Sequence, residues 1–320
     1  MSRPNPCAEP LAPQRDTPCH YTLTDLPREF ADFETPVEGL GVGQPGKVGL
    51  LELDFAPRGG VSRLTRHFQQ FPLQVFRPVY LDPHRPDMPF VYVMSHGGTV
   101  QGDRYRLDLA CAAGGAAHVT TQSAVKLYRM DRNYATQLVR LTAGRDSFLE
   151  YLPDPVIPFR GTRFFGRTLL SAHPTATVIA GEVLLAGRAA HGECHDYACY
   201  ASHFEARSSE GELWFSDAMK FAPQYASPQS PGTFSRYTAL ASLYVVTRRV
   251  SARLLSDRMH ACLAEHPQVV GGASELPNDS GVWLRALGTS CLEVSAAFDS
   301  AWNAARLALI GAPAPNRRKT

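Results

Sequence analysis

The stretch GLLELDF (residues 49–55) decides the fold class of this chain, and RYRLDLAC (104–111) repeats its pattern. In the first stretch, leucine and phenylalanine alternate with Glu52 and Asp54. Such alternation of apolar and polar side chains is typical of a β-strand with one buried face. Further short runs of this type follow along the chain between turns rich in Gly, Pro, Asn and Asp, and no fixed repeat length separates them. The sequence therefore predicts a mainly β fold.

Helical periodicity is confined to the C-terminal third of the chain. Residues 251–266 carry an apolar stripe at helical spacing. A second helix is predicted over 291–310, because Ser290 and Glu293 form a capping box before it and Gly311 ends it. Between the helices, VWLRALG (282–288) is a predicted strand, and the Pro- and Gly-rich stretches 223–232 and 271–281 are predicted surface loops.

The N-terminal region differs in composition from the rest of the chain. Residues 1–46 include eight prolines and show no periodicity. Proline fixes φ and lacks an N–H donor, so we expect an extended or partly disordered arm. One β-rich domain is predicted over 47–320.

Composition excludes several classes of partner. The net charge of +2 does not predict a nucleic-acid-binding surface. No apolar run reaches the roughly 18 residues that span a bilayer, and the first residues do not resemble a secretory signal. The seven cysteines are odd in number and irregularly spaced, which favours reduced thiols and a cytoplasmic location.

Two stretches contain residue patterns that are found in cofactor-binding or metal-binding sites. GVGQPG (41–46) has the letters of a dinucleotide loop, but it leads into a strand instead of a helix, so a flexible turn is predicted. HGECHDYAC (191–199) holds two His and two Cys, but zinc sites usually need a second, separated ligand pair. An ordinary strand is predicted there, with a transient soft-metal contact as the alternative.

Other polar residues lie inside apolar β-type runs. GGTVQGD (97–103) predicts a tight turn with structural glycines at Gly97, Gly98 and Gly102. TTQSAVKLYR (120–129) reads as a strand that is polar on both faces, so its hydroxyls and amide must pair internally or line water. Four carboxylates have apolar surroundings: Glu150, Asp154, Glu182 and Glu193.

These same segments resemble the UreD family of urease accessory proteins, called UreH in some bacteria. The resemblance rests on GGTVQGD, TTQSAVKLYR, EYLPDPVIPF (150–159) and GEVLLAGRAAHGE (181–193), and on AWNAARLALIGAPAPNRRK (301–319) at the end. It implies a single β-helix-like body with the two helices. It also implies a non-catalytic scaffold that joins the accessory proteins UreF and UreG to the urease apoprotein, with no tightly bound cofactor and only transient nickel(II).

A passage for nickel should offer oxygen ligands that bind weakly enough to release the ion. The hypothetical passage is formed by the acids Asp103, Glu150, Asp154, Glu182 and Glu193. Possible lining groups are Thr121, Gln122 and Ser123, and possible orienting cations are Lys126, Arg129, Arg167 and Arg188. Two alternatives remain: a hydrolase with a diffuse site, and a β-rich adaptor without a metal role.

Overall fold

The computed structural model describes residues 15–34 and 45–317, and within them the chain is mainly β. The strands are Val48–Arg58 (β1), Val61–Gln70 (β2), Leu73–Val75 (β3), Phe90–Ser95 (β4), Arg104–Cys111 (β5), Ala116–Thr121 (β6), Val125–Leu127 (β7), Ala135–Ala143 (β8), Phe148–Tyr151 (β9), Val156–Pro158 (β10), Arg163–Ala172 (β11), Thr177–Leu185 (β12), Cys199–Ser208 (β13), Leu213–Phe221 (β14), Ala239–Thr247 (β15), Val269–Glu275 (β16) and Gly281–Gly288 (β17). The α-helices are Ala252–Cys262 (α1) and Cys291–Ile310 (α2).

These strands form two sheets. The seven-stranded sheet has the order β14-β13-β11-β8-β5-β1-β2 and is parallel from β13 to β1, with antiparallel β14 and β2 at its edges. The ten-stranded sheet has the main order β16-β17-β15-β12-β9-β6-β4-β3, and β7 and β10 pair beside β12. Within it, β12, β9, β6 and β4 are parallel.

The chain passes from one sheet to the other in successive coils, as β5 to β6, β8 to β9 and β11 to β12. This solenoid-like path agrees with the predicted β-helix-like body. The largest apolar core lies between the sheets and includes Leu53, Leu107 and Leu141 from one sheet and Val119 and Val178 from the other. Since every second side chain of a strand points to the same face, these residues fix which face of each sheet points inward.

Both predicted helices are present and cover the outer face of the ten-stranded sheet. Helix α1 ends earlier than expected, at Cys262, and continues as a 3₁₀ turn over Leu263–Glu265. Helix α2 has the predicted bounds: the Ser290 side chain accepts from the Glu293 N–H at 3.5 Å, and Gly311 adopts a left-handed conformation at the end. The outer face of this sheet is therefore as apolar as its inner face.

The predicted extended arm is wrong for residues 15–34, which include two 3₁₀ helices, Pro18–His20 and Arg28–Phe33. Phe30 is fully buried on the outer face of the seven-stranded sheet, beside Tyr134 and Phe165. Apolar burial outweighs the low propensity of a Pro-rich segment here. Residues 1–14, 35–44 and 318–320, and with them most of GVGQPG, lie outside the described residues.

Three local predictions also need correction. TTQSAVKLYR is not one strand: β6 ends at Thr121 and β7 begins at Val125, with a bend between them. The predicted loop 271–281 contributes its first residues to edge strand β16, where glycine permits close approach to β17. In HGECHDYAC, strand begins only at Cys199, because His195 has a positive φ and the preceding residues turn.

Candidate functional site

A cavity of about 370 Å³ lies between the two sheets. Many of the residues that line it are polar or small. Gln122, Ser123 and Lys126 line this cavity and are also exposed, so the cavity opens to solvent at the bend between β6 and β7. The opposite part of the wall is formed where β14 faces β17.

One wall is a row of residues at the same position on neighbouring strands of the seven-stranded sheet. Tyr105 is in register with Gln137, Gln137 with Gly166, and Gly166 with Ser202. Gly166 leaves room for the Phe164 ring, because an added Cβ would lie 3.2 Å from it. Stacking of coils thus collects single polar residues from distant parts of the sequence into one surface.

The facing wall is a row of three polar residues on the ten-stranded sheet. Glu182 on β12 is in register with Ser242 on β15, and Ser242 is in register with Arg285 on β17. Glu182 Oε2 accepts a hydrogen bond from Tyr200 Oη at 2.7 Å, and Oε1 accepts one from Ser202 Oγ at 3.3 Å. These bonds cross the cavity and connect the two sheets.

Asp217 on β14 completes the polar lining from the opposite sheet. Its Oδ2 accepts from Arg285 Nη2 at 2.6 Å and also from the Tyr244 hydroxyl. Arg285 in turn lies over the Trp283 ring, 4.7 Å from its centroid. This end of the cavity therefore brings the Glu182 and Asp217 carboxylates close to the Arg285 guanidinium.

The electrostatics of Glu182 follow from its position in the interior. Burial raises the pKa of its carboxyl, and hydrogen bonds from Tyr200 and Ser202 and the charge of Arg285 oppose this shift. The Asp217 charge raises the pKa further. Glu182 is thus an interior carboxyl whose charged form is disfavoured without a cation, yet it retains accessible surface because it faces the cavity.

The turn predicted from GGTVQGD borders the cavity opening. Gly97 and Gly98 line it with φ values of 82° and 76°, and Gly102 has a φ of 79°. Gly98 is required by close packing, because an added Cβ would lie 2.6 Å from the Tyr128 ring. Thr121 also lines the cavity, together with Gln122 and Ser123, and its Oγ1 accepts from the Asp154 N–H at 2.8 Å.

Of the five predicted acids, the structure brings only Glu182 to the cavity wall. Asp103 is fully buried at the glycine turn and accepts bonds from the Lys47 and Val100 N–H groups and the Tyr105 hydroxyl. Its ion pair with Lys47 Nζ, at 3.0 Å, completes a structural role.

Glu150 points to the opposite face of the sheet, beneath α2. Its oxygens accept from His118 Nδ1 and Trp302 Nε1, each at 2.8 Å, and both accept from Arg306 Nη1 at 3.1 Å. Arg306 also pairs with buried Asp82. Burial alone raises the pKa of Glu150, but His118, Arg306 and Trp302 outweigh it, so the pKa is lowered and the carboxylate stays charged.

The remaining two acids lie elsewhere. Asp154 belongs to a surface depression beside α2 and the C-terminal segment, with Asp299 and Arg317 among its neighbours. Glu193 accepts two bonds from Arg188 in the turn before β13. These acids are separated from Glu182 because they lie on the other face of a strand or in turns outside the cavity. No local sequence pattern indicates this separation.

The four predicted cations also divide. Lys126 lines the opening of the cavity. Arg167 lies on a wall strand, but its guanidinium pairs with Asp25 at 3.2 Å and Glu205 at 3.7 Å. The other two form exposed or partly exposed local pairs away from the cavity, Arg129 with Asp131 and Arg188 with Glu193.

Sequence reasoning missed most of the cavity lining. No recognisable motif marks the strands that supply Asp217, Arg285, Ser242, Gln137 and Ser202. The available signal was a polar residue at an inward-facing position, which is informative only once the inward face is known.

Within residues 15–34 and 45–317, no group of three or more His, Cys, Asp or Glu side chains is placed to hold a metal ion. In HGECHDYAC, His195 Nδ1 bonds the Tyr197 hydroxyl at 2.9 Å, and Cys194 is exposed. In the same ranges, no helix is long and apolar enough to cross a membrane. Fold and site together define a class: a β-solenoid protein with a polar cavity between its sheets.

Comparison with known proteins specifies the family. The family described as UreD urease accessory protein matches residues 47–320. Urease accessory protein UreD 2 of Streptomyces griseus is 42% identical over 283 residues, covering 88% of this chain and 96% of the relative. UreD 2 of Brucella suis is 35% identical over 90% of this chain and 96% of its own length. UreD 3 of Methylorubrum populi is 34% identical over 92% and 96%. The chain therefore belongs to the UreD family of urease accessory proteins.

Proposed function

We propose that this chain is a non-catalytic cytoplasmic scaffold that binds UreF and UreG, docks on apo-urease and lets nickel(II) pass through the cavity between its sheets. Membership of the UreD family supports the accessory role. The polar cavity itself is the observation that carries the passage: it offers carboxylate, hydroxyl and amide oxygens inside an otherwise apolar core. Nickel is cargo here, and no resident cofactor is proposed.

The ligand chemistry fits transfer better than storage. A tight site for a transition metal closes around it with several imidazole or thiolate ligands. The cavity instead offers an ion two carboxylates, Glu182 and Asp217, and hydroxyl groups, which hold nickel(II) less tightly than imidazole or thiolate ligands. We accordingly assign the passage to Glu182, with Thr121, Gln122, Ser123 and Lys126 at its opening.

The hydrolase alternative has one specific pair to consider. Ser216 Oγ lies 2.7 Å from His203 Nε2, as a nucleophile and base would. His203 belongs to the cavity wall, but Ser216 is exposed and does not, and strand alternation places both side chains on the outer face of the seven-stranded sheet. No observation therefore favours this function over the scaffold.

The test is urease maturation with Glu182→Gln. We expect this variant to co-purify with UreF, UreG and urease, and to yield urease with a reduced nickel content and activity. Glu205→Gln is the matched control, because Glu205 is an acid of the same solenoid that pairs with Arg207 outside the cavity. Full nickel loading by Glu182→Gln would refute the passage and favour the adaptor.

A further inference from the structure

Arg285 lines the cavity on the same wall as Glu182. Its guanidinium is bound to Asp217, and its charge also acts on Glu182. Its Nε atom is buried without a hydrogen-bond partner among the described residues. Arg285 thus interacts with both carboxylates and is itself incompletely hydrogen-bonded among the described residues.

A second observation points to a missing ligand at the same place. Ser242 is 2% exposed, lines the cavity and lies in register between Glu182 and Arg285. Its Oγ has no hydrogen-bond partner among the described residues. Burying a hydroxyl without a hydrogen-bond partner destabilises the folded state, so this group calls for an explanation. An oxygen-ligated cation would supply the partner.

We propose that Glu182, Asp217 and the Ser242 hydroxyl form a divalent-cation site whose affinity is kept low by Arg285, a tethered cation that competes for the same carboxylates. The inference deepens the proposed function and rests on it for the identity of the ion. When a divalent ion arrives, the guanidinium leaves Asp217 and stays over Trp283; when the ion departs, the guanidinium returns.

The geometry explains why such a competitor would be useful. Without Arg285, the Glu182 and Asp217 carboxylates would repel each other in the cavity, and a divalent ion would neutralise both charges. With Arg285 present, binding must first break a 2.6 Å ion pair. The side chains of Arg285 and Asp217 are 31% and 26% exposed, so this pair is of moderate strength and can be displaced.

The experiment is direct titration of the purified full chain with NiCl₂ by isothermal calorimetry, with MgCl₂ as a second probe. Arg285→Gln is expected to bind Ni²⁺ about fivefold more tightly than the wild type, the scale set by loss of a partly exposed ion pair. Adding Asp217→Asn or Ser242→Ala to Arg285→Gln is expected to remove this gain. Arg285→Met provides a second neutral variant if the glutamine variant does not fold.

Arg160→Gln is the matched control, because it removes one arginine from an exposed Arg160–Asp196 pair and changes the net charge equally. An equal gain in that control, or unchanged affinity in both Arg285 variants, would overturn the proposal. Since the readout is binding by the chain alone, it does not depend on urease activation. Normal urease loading by Glu182→Gln would refute the passage while leaving the binding result to decide the site.

Discussion

Replacing Glu150 by alanine should destabilise the fold strongly, whereas replacing Glu182 by glutamine should not. The two acids lie on neighbouring parallel strands, yet Glu150 is fully buried beneath α2 and Glu182 faces the cavity. Loss of the Glu150 carboxylate leaves Trp302 Nε1 and His118 Nδ1 without their acceptor and leaves the buried Arg306 cation with one carboxylate partner, Asp82.

The magnitude follows from these contacts. Breaking a buried ion pair by removing one partner costs about 3–5 kcal/mol, because the other charge stays buried. We therefore expect Glu150→Ala to lower the free energy of unfolding by that amount. In Glu182→Gln the amide oxygen can still accept from Tyr200, and the amide NH2 can donate to the Ser202 hydroxyl, so we expect a change within about 1 kcal/mol.

The assay is urea denaturation of each purified variant, followed by tryptophan fluorescence, since Trp302 belongs to the cluster. Urease maturation by the same variants separates the two roles: Glu182→Gln should fold and deliver less nickel, whereas Glu150→Ala should fail through loss of folded protein. Equal unfolding free energies for both variants would refute this reasoning, as would a Glu150→Ala protein of wild-type stability.

Three further predictions concern stability. Phe30→Ala should lower the free energy of unfolding by about 3–5 kcal/mol, because its ring is fully buried, while Tyr225→Ala, 60% exposed, should change it little in the same urea titration. Gly98→Ala should lower the thermal midpoint of unfolding more than Gly97→Ala. Both glycines have a positive φ, but only a Cβ at position 98 would contact the Tyr128 ring, so equal midpoints would contradict this reasoning. Burial lowers the pKa of His118 below its usual 6.5, so the unfolded chain binds the extra proton and stability should fall as the pH drops below about 6.5. His118→Gln should flatten that dependence in urea midpoints measured from pH 7.5 to 5.5, and an unchanged slope would count against it.

Much of the fold could be predicted from local patterns. The alternation in GLLELDF and RYRLDLAC corresponds to β1 and β5, and the capping residues Ser290 and Gly311 delimit α2. These predictions succeeded because strand alternation and helix capping depend on residues close together in sequence. The packed segment 15–34 was missed, since its burial depends on a distant sheet surface.

The candidate site was only partly predictable, for a similar reason. The polar character of TTQSAVKLYR indicated residues that line water, and Thr121, Gln122 and Ser123 do line the cavity. The sequence could not indicate which acids face the cavity. Both faces of the ten-stranded sheet are apolar, so its strands show no alternation of polar and apolar residues that would identify the inner face. Asp217 and Arg285 meet only through the facing of β14 and β17.

By itself, the amino-acid sequence determined a β-rich chain with two C-terminal helices and the segments that mark its family. Tertiary structure alone decided which carboxylate belongs to the cavity. In the register of β9 and β12, Glu150 aligns with Ile179, and Glu182 lies three residues further along, on the other face. Because successive side chains of a strand point to opposite faces, moving a carboxylate by one position transfers it from beneath α2 to the space between the sheets. Which face is which depends on the second sheet and the helices, so the tertiary structure decides it.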